Sequence, residues 1–138
     1  MARVETRGRA RALQALYACD LRKNADLART AARVWDDLAV PAGERRFAEN
    51  LLRGVAAEGA ALDAELADVT TNWRLERLGA IERSVLRLGA AELREGVTPP
   101  RVVLQESVRL AERYGSADSA RFVNGVLDAL ARRMGFLA

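Results

Sequence analysis

The chain has 138 residues, half of them hydrophobic, and a formal net charge of +3. This length suits one compact domain whose apolar core needs neither metal ions nor disulfide bonds for its stability. A single cysteine and the lack of histidine exclude an intramolecular disulfide and a metal site built from cysteine or histidine ligands.

Composition favours helices. Most apolar residues are alanine or leucine, aromatic residues make up 5% of the chain, and there are three prolines, a mixture typical of all-α proteins. No apolar stretch approaches the roughly 20 residues of a membrane span, and the arginine-rich start lacks the apolar segment of a secretory signal. We therefore expect a cytoplasmic protein in a reducing compartment.

The net positive charge is concentrated at the N-terminus. The segment 1–11 contains four arginines and one acidic residue, whereas the basic and acidic residues after it balance; these five are Arg3, Glu5, Arg7, Arg9 and Arg11. Guanidinium groups bind phosphate oxygens bidentately and stack on bases. The segment indicates a nucleic-acid ligand, and the alternative is a solvated basic tail in a chain that uses arginine throughout.

In chain order, the first three predicted helices follow from apolar residues at helical spacing. The basic segment leads directly into the first helix, which is marked by Leu13, Leu16, Tyr17 and Leu21. The second is marked by Leu27, Ala31, Val34, Trp35 and Leu38, and it ends where Pro41 disfavours a helical residue before it. The third is marked by Phe47, Leu51, Leu52 and Val55.

Four more helices complete the prediction of about seven. Gly54 and Gly59 suggest a break before a fourth helix, marked by Leu62, Leu66 and Val69. A long central helix runs from Leu75 to Leu93, with a possible split near Gly79. The sixth ends at Gly115, a residue suited to a left-handed C-cap. Asp118 or Ser119 would cap the last, which is marked by Phe122, Val123, Val126, Leu127 and Leu130.

Residues that could perform catalysis are scarce. The chain has no histidine base and no glycine-rich phosphate loop ending in Lys-Ser or Lys-Thr. Acidic residues such as Asp36, Asp37 and Glu49 fit a solvated helical surface better than an active site. Cys19 fits a small buried hydrophobe, and Trp35 and Trp73 fit core anchors. We predict no catalytic residue, no metal and no cofactor.

The segment 114–126 holds more special residues than a connector between helices requires. Glycine within a helix costs about 1 kcal/mol relative to alanine, so the pair Asn124-Gly125 needs a reason. Close helix packing or a ligand would supply one.

Four segments resemble those of NusB proteins and occur in the same order, and the resemblance extends over nearly the whole chain. They are RARALQALY at 9–17, IERSVLRL at 81–88, VVLQESV at 102–108 and FVNGVLD at 122–128, of which the last is the most specific. The resemblance implies an all-α fold of two small helical bundles packed together. It also implies that the chain is one RNA-binding domain over residues 1–138, with the basic segment leading into the first helix.

The function implied by the resemblance is transcription antitermination. NusB proteins pair with NusE, a small-subunit ribosomal protein, bind the single-stranded boxA element of nascent RNA, and act with the elongation complex to support processive transcription of ribosomal RNA operons. RNA contacts would fall on Arg7, Arg9, Gln14, Tyr17, Arg87, Asp118 and Phe122, to which the basic segment adds Arg3 and Arg11. Glu82 would face the protein partner.

The chain departs from the family pattern where Glu5, Thr6 and Gly8 interrupt the basic run. Fewer phosphate contacts give lower affinity and a shallower dependence on salt, so we expect weak RNA binding without the partner. For Phe122, a place in the core is the alternative to stacking on a base. Two other functions stay open: the NusB-like domain of a ribosomal RNA cytosine methyltransferase, and a homodimeric protein-interaction module.

Overall fold

The computed structural model describes residues 3–22, 26–70 and 78–137, and within these ranges every regular element is a helix. The all-α prediction is therefore confirmed. The six described helices are α1 (Val4–Leu21), α2 (Leu27–Asp37), α3 (Ala42–Val69), α4 (Ala80–Glu95), α5 (Pro100–Tyr114) and α6 (Ala117–Arg133).

The predicted number of about seven helices was one too high for the described ranges, because α3 is continuous where a break was expected. Gly54 and Gly59 both lie inside it. Each costs about 1 kcal/mol of helix propensity, but the surrounding alanines and leucines are strong helix formers. Leu75 and Trp73 lie outside the described residues, and α4 begins at Ala80, after the predicted split near Gly79.

The ends of the helices have local causes. The side chain of Asp26 accepts a hydrogen bond of 3.2 Å from the backbone N–H of Arg29 at the start of α2, and Pro100 occupies the first turn of α5. Ser116, rather than Asp118 or Ser119, caps α6 by accepting a hydrogen bond of 3.1 Å from the Ser119 N–H.

Gly115 ends α5 as predicted, but for a different reason. Its φ is −118°, which is not a left-handed conformation. A Cβ at this position would lie 2.8 Å from the Ala111 carbonyl oxygen and 2.8 Å from Ser119 Oγ. Glycine is therefore needed here for space, whereas the left-handed C-cap belongs to Gly96, with a φ of 75° at the end of α4.

The chain divides into two compact units, Met1–Arg53 and Gly54–Ala138, and the division falls inside α3. In the first unit α1 packs against α2, and Trp35 is 1% exposed, which confirms it as a core residue. Its indole Nε1 donates a hydrogen bond of 3.0 Å to the carbonyl oxygen of Arg11. This bond ties α2 to the helix that carries the arginines.

In the second unit α4, α5 and α6 pack against one another. Gly89 of α4 makes this possible, since a Cβ there would lie 2.6 Å from Leu127 Cδ1 and 3.0 Å from Ser107 Oγ. The largest fully buried side chains described in this unit are aliphatic: Leu62, Leu66, Val85, Leu86, Leu93, Val103, Val123, Leu127 and Leu130. Among the described helices, none is long and apolar enough to cross a bilayer.

Candidate nucleic-acid interface

One face of α1 carries most of the basic segment. Residues advance by about 100° per position around a helix, so Arg7, Arg11 and Gln14 fall within an arc of about 60°. Arg3, the N-cap residue that precedes the helix, extends this arc to about 80°. Tyr17 lies about 40° beyond this arc and is 37% exposed. We call these five residues the α1 face. The structure thus brings together five of the residues predicted to bind RNA.

Glu44, in the first turn of α3, binds two arginines of the α1 face. Arg7 Nε donates to its Oε2 at 2.8 Å, and Arg11 Nε donates to its Oε1 at 3.2 Å. The Glu44 side chain is 6% exposed, whereas those of Arg7 and Arg11 are 40% and 25% exposed. The carboxylate is therefore buried beneath two guanidinium groups that reach the surface.

The charge of Glu44 is stabilised by these neighbours. Burial alone would raise the pKa of the Glu44 carboxyl. The hydrogen bonds from Arg7 and Arg11 and their positive charges together lower the pKa by more than burial raises it, so that it lies below its ordinary value of 4.5. Glu44 is thus ionised at neutral pH.

This lowered pKa predicts a pH-dependent loss of stability. A carboxyl whose pKa is lower in the folded than in the unfolded chain stabilises the fold above its unfolded pKa, and this contribution disappears as pH falls through the folded pKa. We expect the stability difference between the wild type and Glu44→Gln to be full at pH 7 and to shrink below about 4.5. Urea unfolding between pH 7 and 3 measures it. Glu49→Gln, a change at an exposed acid of the same helix, should run parallel to the wild type, and parallel curves for Glu44→Gln would contradict the assignment.

Arg9 lies apart from the α1 face. Two residues from Arg7, it points to the opposite side of the helix, where it is 5% exposed and its guanidinium lies 5.1 Å from the centre of the Phe47 ring. The preceding Gly8 is also buried, and a Cβ at this position would lie 2.8 Å from Cδ1 of the same ring. The arginines of the basic segment therefore divide into surface and core positions.

The remaining predicted RNA residues lie in the second unit. Arg87 on α4 makes a bidentate ion pair with Asp63 on α3, with both nitrogen–oxygen distances 2.9 Å, and its side chain is 28% exposed. Asp118 is exposed near the start of α6 and pairs with Arg121. Phe122 is half-buried one turn later.

Glu82, predicted to face the protein partner, joins the starts of α4 and α6. Its Oε1 accepts a hydrogen bond of 2.8 Å from Ser119 Oγ. Its Oε2 lies close to Gly79, because a Cβ at that position would be 2.6 Å from this oxygen. The side chain is half-buried. Ser119 in turn is held by Ser116, at 3.1 Å between the two hydroxyl oxygens.

Two other sequence expectations changed. Close packing or a ligand was expected to explain Gly125. A Cβ there would meet nothing within 4 Å, so close packing among the described residues does not explain it, and the ligand stays a prediction. Cys19 was expected to be buried and is half-exposed. Within the described ranges, no group of three or more acidic or cysteine residues is placed to hold a metal ion.

Glu44, Asp63 and Ser119 are polar residues that sequence reasoning did not indicate as partners of the predicted binding residues. Glu44 is 37 residues from Arg7 and 33 from Arg11, and no helical periodicity connects positions so far apart. Ser119 was considered only as a cap. Its link to Glu82, also 37 residues away, had no signal in the sequence.

These features define an all-helical protein whose first helix presents arginine and amide side chains on one face. The NusB family model matches residues 6–132, and the transcription antitermination protein NusB of Sorangium cellulosum (strain So ce56) is 43% identical over 93% of this chain and 91% of its own length. The chain belongs to the NusB family.

Solved structures agree with this membership. T. maritima NusB matches with a TM-score of 0.86 and 30% identity, over 96% of this chain and 93% of that one. A chain in a crystal structure of the antitermination factors NusB and NusE in complex with double-stranded RNA matches with a TM-score of 0.87 and 27% identity, over 96% and 99% of the two chains.

Proposed function

We propose that this chain is a transcription antitermination factor that binds boxA-type single-stranded RNA together with NusE and supports processive transcription of ribosomal RNA operons. The observation that carries the proposal is the α1 face, in a chain whose relatives are named as antitermination proteins and which resembles a chain solved with NusE and RNA. We propose no catalytic activity and no cofactor, and the role places the protein in the cytoplasm, where transcripts are made.

On the α1 face, the proposed roles follow from side-chain chemistry. Arg3, Arg7 and Arg11 bind phosphates, which sets the register of the RNA, whereas Gln14 and Tyr17 contact bases. Single-stranded RNA suits this division of labour because its unstacked bases can reach amide and aromatic groups. Arg9 is almost fully buried in the chain without RNA, and we assign it to supporting α1 against Phe47.

The second unit contributes the other proposed contacts. Arg87 offers a guanidinium whose orientation is fixed by its bidentate pair with Asp63, and Asp118 and Phe122 offer a hydrogen-bond acceptor and an aromatic ring. We propose that these three meet RNA, that Glu82 meets NusE, and that residues 1–138 act as one RNA-binding domain.

NusE is expected to increase RNA affinity. Linking two RNA-binding proteins in one complex makes the second contact intramolecular, and a gain of about 100-fold is within the usual range of such coupling. Fluorescence anisotropy with a labelled boxA RNA, with and without NusE, measures the gain, and an RNA of the same composition in scrambled order is the control. An equal affinity with and without NusE would refute joint binding. Equal affinity for the boxA RNA and the scrambled RNA would indicate that the protein binds RNA without recognising boxA, which would contradict the proposed role in antitermination.

A further inference from the structure

We propose that Glu44 is a positioning residue for RNA binding: its buried carboxylate holds Arg7 and Arg11 in the orientation in which they bind phosphate. This inference rests on the proposed function. It concerns a residue that no sequence motif indicated and that would not itself touch RNA.

The two hydrogen bonds from Arg7 and Arg11 to Glu44 fix the orientation of both guanidinium groups. Each is donated by Nε, the guanidinium nitrogen nearest the backbone, and each ends on a different oxygen of Glu44. A bond at Nε fixes the plane of the guanidinium, and the fork formed by the terminal nitrogens is the part that matches a phosphate. One carboxylate can therefore set the planes of two phosphate-binding groups.

The exposure of this cluster allows a ligand to reach it. The side chains of Arg7 and Arg11 are 40% and 25% exposed, above a carboxylate that is 6% exposed. Two guanidinium groups gathered on one acid attract an anion such as phosphate to this part of the surface.

The cluster also reaches a residue proposed to contact bases. Arg11 Nη1 donates a hydrogen bond of 3.3 Å to Oε1 of Gln14. Through Arg11, Glu44 is therefore linked to the amide of the α1 face as well as to the two phosphate-binding groups. Its position in the first turn of α3 further favours its negative charge, because the helix N-terminus carries partial positive charge.

The substitution Glu44→Gln separates positioning from simple electrostatics, because the two predict opposite signs. Removing an acid near RNA raises the local positive charge and should strengthen binding if charge alone matters. We expect weaker binding to boxA RNA in the presence of NusE, by about tenfold, which corresponds to one hydrogen bond to a charged group. The slope of log affinity against log salt should also fall by about 0.7 for each lost phosphate contact.

Glu49→Gln is the matched control. Glu49 lies on the same helix, is 49% exposed and makes a 4.0 Å pair with Arg53, so the change in charge is the same without loss of a buried acceptor. We expect its RNA affinity to equal or slightly exceed that of the wild type. Thermal unfolding of both variants shows whether they are folded at the temperature of the binding experiment.

A second variant keeps the test decisive if Glu44→Gln does not fold. Arg11→Lys keeps the positive charge beside Glu44 but removes the planar fork, and positioning predicts a loss of affinity similar to that of Glu44→Gln. Unchanged or stronger binding by a folded Glu44→Gln, or unchanged binding by Arg11→Lys, would overturn the inference. Failure of the wild type to bind boxA RNA with NusE would instead refute the proposed function.

Discussion

Replacement of Trp35 by alanine is expected to lower the free energy of unfolding by about 3–5 kcal/mol, the usual cost of removing a large buried aromatic side chain. Trp35 is 1% exposed, and the Arg45 guanidinium lies 5.7 Å from the centre of its ring. The indole also bonds to the backbone of α1 at Arg11. Chemical denaturation with urea, followed by circular dichroism at 222 nm, measures the change.

Trp35→Phe is the control that separates ring volume from the hydrogen bond. Phenylalanine retains most of the apolar contact but leaves the Arg11 carbonyl without this donor, for a cost of about 1–3 kcal/mol. The phenylalanine variant should therefore lie between the wild type and the alanine variant. A Trp35→Ala variant as stable as the wild type would contradict the placement of this side chain in the core.

Helices could be predicted from the sequence because burial on one face leaves a periodic pattern. The pattern located α1, α2, α5 and α6 by their apolar residues, and it placed Trp35 correctly in the core. It did not show that α3 is continuous. A glycine in a helix raises the free energy of the helix by about 1 kcal/mol relative to alanine, but the residues around it decide whether the helix breaks, and α3 continues through both Gly54 and Gly59.

The candidate interface was predictable in residue type but not in arrangement. Charge and family resemblance indicated the arginines of segment 1–11, yet the position of each around α1 decides whether it faces solvent. Arg9 is turned into the core, whereas Arg7 and Arg11 reach the surface. The acid that binds these two arginines comes from α3, and only the tertiary structure brings it to them.

The same limit applies to the second unit. The family resemblance indicated Arg87 and Glu82 as binding residues, but it carried no information about the intramolecular partners Asp63 and Ser119. A binding residue that is already hydrogen-bonded within the chain is held in one orientation, which lowers the entropic cost of binding a ligand. The intramolecular contacts of Arg87 and Glu82 thus favour their proposed roles in binding RNA and NusE.

Gly8 is one of the residues that interrupt the basic run, and its place against Phe47 predicts the effect of filling that gap with arginine. From the sequence alone, the substitution Gly8→Arg would be expected to join Arg7 and Arg9 into a continuous basic run and to strengthen RNA binding. In the structure a Cβ on Gly8 would lie 2.8 Å from Cδ1 and 3.0 Å from Cβ of Phe47. Rotation of the Phe47 ring cannot move its Cβ, so α1 and the start of α3 would have to separate. We expect the free energy of unfolding of Gly8→Arg to fall by about 3 kcal/mol or more. Overpacking alone costs about 1–3 kcal/mol, and burying a second guanidinium adds a desolvation cost.

Gly125→Arg is the matched control, with the same residue change and the same added charge in another helix. Gly125 is exposed and a Cβ there meets nothing within 4 Å, so arginine should stabilise α6 by about 0.5–1 kcal/mol through its higher helix propensity. Urea unfolding of the two variants should therefore give changes of opposite sign. If Gly8→Arg were as stable as the wild type and bound boxA RNA more tightly, Gly8 would be only a gap in a basic tail. A destabilised Gly8→Arg beside a stabilised Gly125→Arg would mean that the interruption exists because the first helix has to pack against Phe47.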